Sequence, residues 1–117
     1  KRQGAFSMHR KDRCMNILGT EYQFKEDETI IEKGIDGECA GYAKEIRIRP
    51  KYTMLGASDN PADKAKRYNE VFRHEVIHAF FTDSGLDQYS DDEVLVTWIA
   101  IQFPKMLNIF QEHGCTE

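Results

Sequence analysis

Val71-Phe72-Arg73-His74-Glu75-Val76-Ile77-His78-Ala79-Phe80-Phe81 is the stretch on which the reading of this chain turns. On an α-helix, residues four apart lie one turn apart on the same face. His74 and His78 can therefore aim two imidazole nitrogens at one metal ion. Glu75 lies beside the first of them, at the edge of that face, where it can reach a water on such an ion without binding the ion itself. The apolar neighbours predict a buried helix whose histidines face an interior. Two buried imidazoles with no partner would be costly.

Working outward, Ser58-Asp59-Asn60-Pro61 reads as a helix start, with a capping side chain just before a proline in the first turn. The helix is expected from Pro61 to about Asp83, ended by Ser84-Gly85. A second start follows at Ser90-Asp91-Asp92-Glu93, with Ser90 as cap and Glu93 completing a capping box. The next helix, Val94 to about His113, is apolar at Val94, Leu95, Trp98, Ile99, Ile101, Phe103, Leu107 and Phe110. Pro104 should kink or divide it. Trp98 and its aromatic neighbours are expected in the core.

Towards the N-terminus the period changes. Ile17 to Lys25 reads as a strand, with Ile17, Leu18, Tyr22 and Phe24 on its apolar side. Glu26-Asp27-Glu28 breaks it, Thr29-Ile30-Ile31 continues a strand or packs as an apolar patch, and Gly34-Ile35-Asp36-Gly37 has turn chemistry. Glu45-Ile46-Arg47-Ile48-Arg49 alternates cleanly up to Pro50. The expected class is α+β: a small, mostly antiparallel sheet of about three or four strands followed by two main helices.

A length of 117 residues is that of one small domain. Residues 1–14 read as a flexible leader and 15–117 as the single domain, with Met8 and Met15 equally suited as natural starts. A net charge of −4 gives no reason to expect nucleic acid as the main partner. The basic cluster Lys1, Arg2, His9, Arg10, Lys11 and Arg13 could form a nucleic-acid arm, but it is more simply part of the leader. Cys14, Cys39 and Cys115 are odd in number and form no C-x-x-C pair, which argues against a cysteine metal site and for a reducing compartment. No apolar run is long enough for a membrane span, and the N-terminal segment has no signal-peptide core. The cytoplasm is the expected location.

Two histidines do not complete a tight site, because a catalytic zinc takes three protein ligands and leaves one position for water. A third histidine further along the same stretch is missing, since position 84 is Ser84. The third ligand is then a carboxylate: Asp83, Asp87, Asp91, Asp92 or Glu93. Asp83 lies roughly 140° around the helix from His78 at ~100° per residue and should miss the ion. Asp87 falls in the connecting loop. Glu93 is the choice, on the first turn of a helix that must pack on the first, with the longer arm. Asp92 is the alternative. The competing role for Glu93 is the capping box itself.

HEVIH on one helix, a preceding strand at Glu45–Arg49 and a second helix opening with acids resemble the minimal core of zincin metallopeptidases. The likeness is to small gluzincin-like proteins of phages and mobile elements, of the ImmA/IrrE type. It covers about Ile17 to Phe110, and HEVIH is its only specific motif. The resemblance implies Zn2+ held by His74, His78 and Glu93, with Glu75 as the general base that activates a metal-bound water for peptide hydrolysis. A peptide or protein would be the substrate, and a regulatory protein partner is compatible with so small a chain. Tyr89 and His113 are candidate oxyanion helpers, although Tyr89 suits simple packing better. Two other classes compete: a protein-binding module that zinc only stabilises, and a regulatory protein whose histidines are core residues without metal.

Overall fold

The computed structural model describes residues 13–56 and 58–117. Residues 1–12 of the expected leader, and with them the basic cluster apart from Arg13, therefore lie outside the described residues. The fold is α+β, with strands β1 (Arg13–Ile17), β2 (Thr20–Glu26), β3 (Gly37–Ala40) and β4 (Glu45–Ile48). Helices α1 (Pro61–Asp83), α2 (Asp87–Ser90) and α3 (Glu93–Glu112) follow, and short 3-10 turns occupy Glu28–Lys33 and Lys51–Thr53.

The sheet order is β1-β2-β4-β3. β1 with β2 and β3 with β4 are antiparallel, whereas β2 and β4 run parallel, so the sheet is mixed. The parallel pair arises because the chain leaves β2 for the outer edge as β3, and β4 then inserts between the two. Strand β3 went unrecognised in the sequence. Four residues beginning at a glycine carry too little alternation to stand out.

The single strand expected from Ile17 to Lys25 is instead the second half of a hairpin. Leu18 and Gly19 form its two-residue loop, with φ of 52° and 88°. Two consecutive left-handed residues match the right-handed twist of the paired strands. Asn16 Oδ1 accepts a hydrogen bond from the Gly19 N–H at 2.8 Å. Leucine is a poor turn former, which is why Leu18 read as part of a strand. β1 also takes in Arg13 and Cys14, so regular structure begins two residues before the expected start.

One face of the sheet carries the core. Ile17, Tyr22, Phe24, Ile46 and Ile48 pack with Met54 and with Tyr68, Val71 and Ala79 of α1. β4 keeps its two isoleucines inward, while Arg47 turns out to Glu45, Glu38 and Asp27. Helix α1 has the expected bounds. Asn60 Oδ1 caps Ala62 N at 2.8 Å, Pro61 occupies the first turn, and Gly85, at φ 74°, follows the end. The Tyr22 hydroxyl donates to Asp83 Oδ1 at 2.7 Å, and Lys44 Nζ lies 3.2 Å from the same oxygen. These bonds fasten the end of α1 to the sheet and account for Asp83.

Helix α3 differs from expectation in its cap and in what it buries. Its cap is Asp92, whose Oδ1 accepts from Leu95 N at 3.1 Å, while Ser90 belongs to α2. Trp98 is not in the core but 55% exposed; Val96 and Ala100 are the residues α3 buries. Pro104 does not divide the helix. A proline has no N–H for the carbonyl four residues back, here that of Ala100. Arg73 Nε of α1 donates to the Ala100 oxygen at 2.7 Å. The defect in one helix thus becomes a bond between two.

Replacing Arg73 with Met should destabilise the protein by about 1–2 kcal/mol in urea unfolding, the cost of an unsatisfied buried acceptor. In a Pro104→Ala background a helical N–H returns to that carbonyl, and the loss should shrink. Equal losses in the two backgrounds would mean that the arginine acts elsewhere.

Candidate metal centre

The buried positions of α1 are Tyr68, Val71, Glu75 and Ala79, spaced three or four apart as one helical stripe requires. Glu75 therefore lies on the core-facing stripe and not at its edge. His74 and His78, about 100° back around the helix, are the residues at the edge, each half-buried. The expectation of fully interior histidines is corrected accordingly. Their rings sit 4.9 Å apart, with the two Nε2 atoms 3.2 Å from each other.

Glu93 reaches both. Its Oε1 is 2.9 Å from His74 Nε2 and its Oε2 is 3.2 Å from His78 Nε2. His74, His78 and Glu93 thus converge as three donors within 4.8 Å of one another, a group that could hold a metal ion. Two imidazole nitrogens and a carboxylate suit a divalent transition metal and would leave coordination positions open. Asp92, the alternative third ligand, is occupied as the α3 cap. Glu93 is the first residue of the helix, with its carboxylate free to extend across to α1. The capping box proposed for Glu93 does not form, because Ser90 is not the cap.

Ser90 instead has a place in the site. Helix α2 folds the chain back so that Ser90 Oγ lies 3.0 Å from His78 Nδ1 and 3.4 Å from the His78 carbonyl. A partner on Nδ1 selects the tautomer that leaves Nε2 free to ligate. Nothing in the sequence distinguishes this role, since a serine before an acidic helix start reads as a cap.

The triad opens onto a cleft of about 470 Å³, lined also by Gly37, Cys39, Glu75 and Asp91. β3 comes close to α1 at this point. A Cβ on Gly37 would stand 2.8 Å from Val71 Cγ1 and 3.2 Å from Glu75 Cγ. Only glycine allows the strand to cover Glu75 so closely. Glu75 is 7% exposed, and its carboxyl has no hydrogen-bond or ion-pair partner among the described residues. Burial, with the Glu93 and Glu38 charges adding to it, raises its pKa to about 8. Burial likewise pushes the Cys39 thiol up to about 12. It lowers the pKa of His74, against the opposing effect of the hydrogen bond that Glu93 accepts from it.

Other candidates lie away from the triad. Asp87 starts α2, and Tyr89 rests on Phe81 with ring centroids 6.1 Å apart and does not line the cleft. His113 is exposed at the far end of α3. The three cysteines are unpaired, and among the described residues no helix is long and apolar enough to cross a membrane. Compared with known proteins, the chain finds no significant match among protein families, curated proteins or solved structures.

In the metal-free protein Glu75 keeps its proton up to about pH 8, whereas the unfolded chain releases it near the ordinary 4.5. Between those values the folded state binds more protons than the unfolded one, so stability falls as pH rises. Glu75→Gln cannot ionise. It should stabilise the metal-free protein at pH 7 by on the order of 2 kcal/mol, with little gain at pH 4. Chemical denaturation of both proteins at the two pH values, in the presence of a chelator, checks this. A gain that did not depend on pH would point to packing instead of ionisation.

Proposed function

We propose that this chain is a zinc-dependent peptidase of the zincin type, with His74, His78 and Glu93 as ligands and Glu75 as general base. The observation that carries the reading is the buried, unpartnered Glu75 carboxyl beside the three convergent donors. An orphaned carboxyl is expensive to keep, and a metal that only joined two helices would have no use for it. The resemblance of HEVIH and of the element order to zincin cores supports the same reading.

When bound, zinc would supply a Lewis acid that makes water nucleophilic near neutral pH and polarises the peptide carbonyl. The chain's own residues supply the rest. His74 and His78 hold their Nε2 atoms together, the latter under the restraint of Ser90. Glu75, covered by β3, accepts a proton from the attacking water and returns it to the leaving amine. A cation bound at the triad would lower the Glu75 pKa from its metal-free value and leave the carboxylate ionised near neutral pH, as a base must be, while its apolar wall keeps it more basic than an exposed carboxylate. The cleft is of a size to take a short extended segment. A flexible or unfolded region of a peptide or protein is the substrate class that fits.

Purified protein should carry one zinc per chain by elemental mass spectrometry, and the His74→Ala/His78→Ala double variant none. Glu75→Gln should keep zinc and lose cleavage of unfolded protein substrates by about 100-fold or more. Unchanged zinc in the double histidine variant defeats the metal assignment. Full activity in Glu75→Gln defeats the mechanism while leaving the metal site intact.

Ser90→Ala should weaken zinc binding about tenfold, the usual effect of losing a group that orients a ligating imidazole. Competition with a chelator of known affinity measures it. An unchanged affinity would assign Ser90 to loop closure alone.

A further inference from the structure

Helix α3 leaves an apolar face without a covering. Its buried residues, Val96 and Ala100, lie on one side against α1. On the opposite side Val94 is 82% exposed, Trp98 55%, Ile101 43% and Ile109 56%. At ~100° per residue these four and Lys105 fall within about 80° of the helix circumference. They form a single stripe of about 22 Å along the axis at 1.5 Å per residue. Exposed apolar surface in a continuous row, without an acidic residue in it, is what a helix presents to another helix.

We propose that this stripe pairs with the same stripe of a second copy, antiparallel, about a two-fold axis between Ile101 and Gln102. The order of side chains chooses both the occupant and the direction. Turned end for end about that point, Val94 of one copy meets Ile109 of the other, and Trp98 meets Lys105. Lys105 is exposed and has no partner of its own among the described residues. Its apolar stem would lie on the indole of the second copy with the ammonium over the ring face, a contact that strengthens as water is excluded. The two-fold makes this contact twice. A parallel pairing would set Lys105 against Lys105 inside an apolar seam, where like charges repel. The stripe faces away from the side of α3 that packs on α1, so the cleft stays open in the pair. The inference does not depend on the proposed chemistry.

Sedimentation of the full chain, with tryptophan emission recorded on the same samples, tests it, because Trp98 is the chain's single tryptophan. The expected result is a monomer–dimer equilibrium in the micromolar range, with emission moving to the blue as dimer forms. Trp98→Glu and Lys105→Glu should each weaken association at least about tenfold while leaving zinc content and circular dichroism as in the parent. A chain that stays monomeric to millimolar concentration overturns the proposal. So does a dimer that forms without any shift in emission, or one that neither substitution weakens. Should Trp98→Glu fail to fold, Lys105→Glu decides alone, since it changes an exposed position that packs on nothing within the monomer.

Discussion

The rotation of α1 about its own axis, as it lies on the sheet, is the constraint from which the other features follow. Tyr68, Val71, Glu75 and Ala79 share the buried stripe, and three of the four belong to the same core cluster as Phe24, Ile46 and Ile48. A helix has one phase, so burying these residues also determines where His74 and His78 emerge. They come out together at the margin of the sheet, beside the edge strand β3. A rotation of one residue would put the histidines into the core and move Glu75 to the partly buried position that Val76 now holds. The apolar core thus acts as the device that aims the polar groups. Gly37 marks how tight the fit is, with no room for a side chain between β3 and α1 at the level of Glu75.

The third donor depends on a different contact. Glu93 is 19 residues from His74 along the chain, and α2 folds the connection back so that α3 returns along α1. Asp92 holds the start of α3 by capping it, and the Arg73 bond to the Ala100 carbonyl holds the middle. Together they leave Glu93 at the helix start, facing two imidazoles. A metal bound there would link α1 to α3 and add its binding free energy to the stability of the fold. The same arrangement explains the uneven burial of α3. It packs along one side in its first half, and no residue beyond Ala100 is fully buried.

Burying Glu75 without a partner works against stability and has no structural return. Around it the fold satisfies its polar groups with care: Asp36 is held by Arg67, Arg49 and the Leu55 N–H, and Asp83 by Tyr22 and Lys44. One carboxyl left without a partner among groups so thoroughly paired is a local exception, and such exceptions collect where chemistry is done.

Much of this was legible in the sequence because it rests on local rules. The one-turn spacing of His74 and His78, the cap and proline at Asn60-Pro61, the stop at Ser84-Gly85 and the alternation of Glu45–Arg49 each report on neighbours within a few residues, where helix and strand periodicity are enough. The choice of Glu93 also followed from sequence, since an acid opening a helix that must pack on α1 has few places to go. The tertiary structure alone decided the remainder. The insertion of β4 between β2 and β3 depends on pairing partners distant in the chain, and the Leu18-Gly19 turn on strand pairing that its own residue types do not announce. Whether Ser90 caps a helix or steadies His78 depends on which way the α1–α3 connection folds. Trp98 looked like core because apolarity measures what a side chain prefers, whereas burial is settled by what is present to cover it.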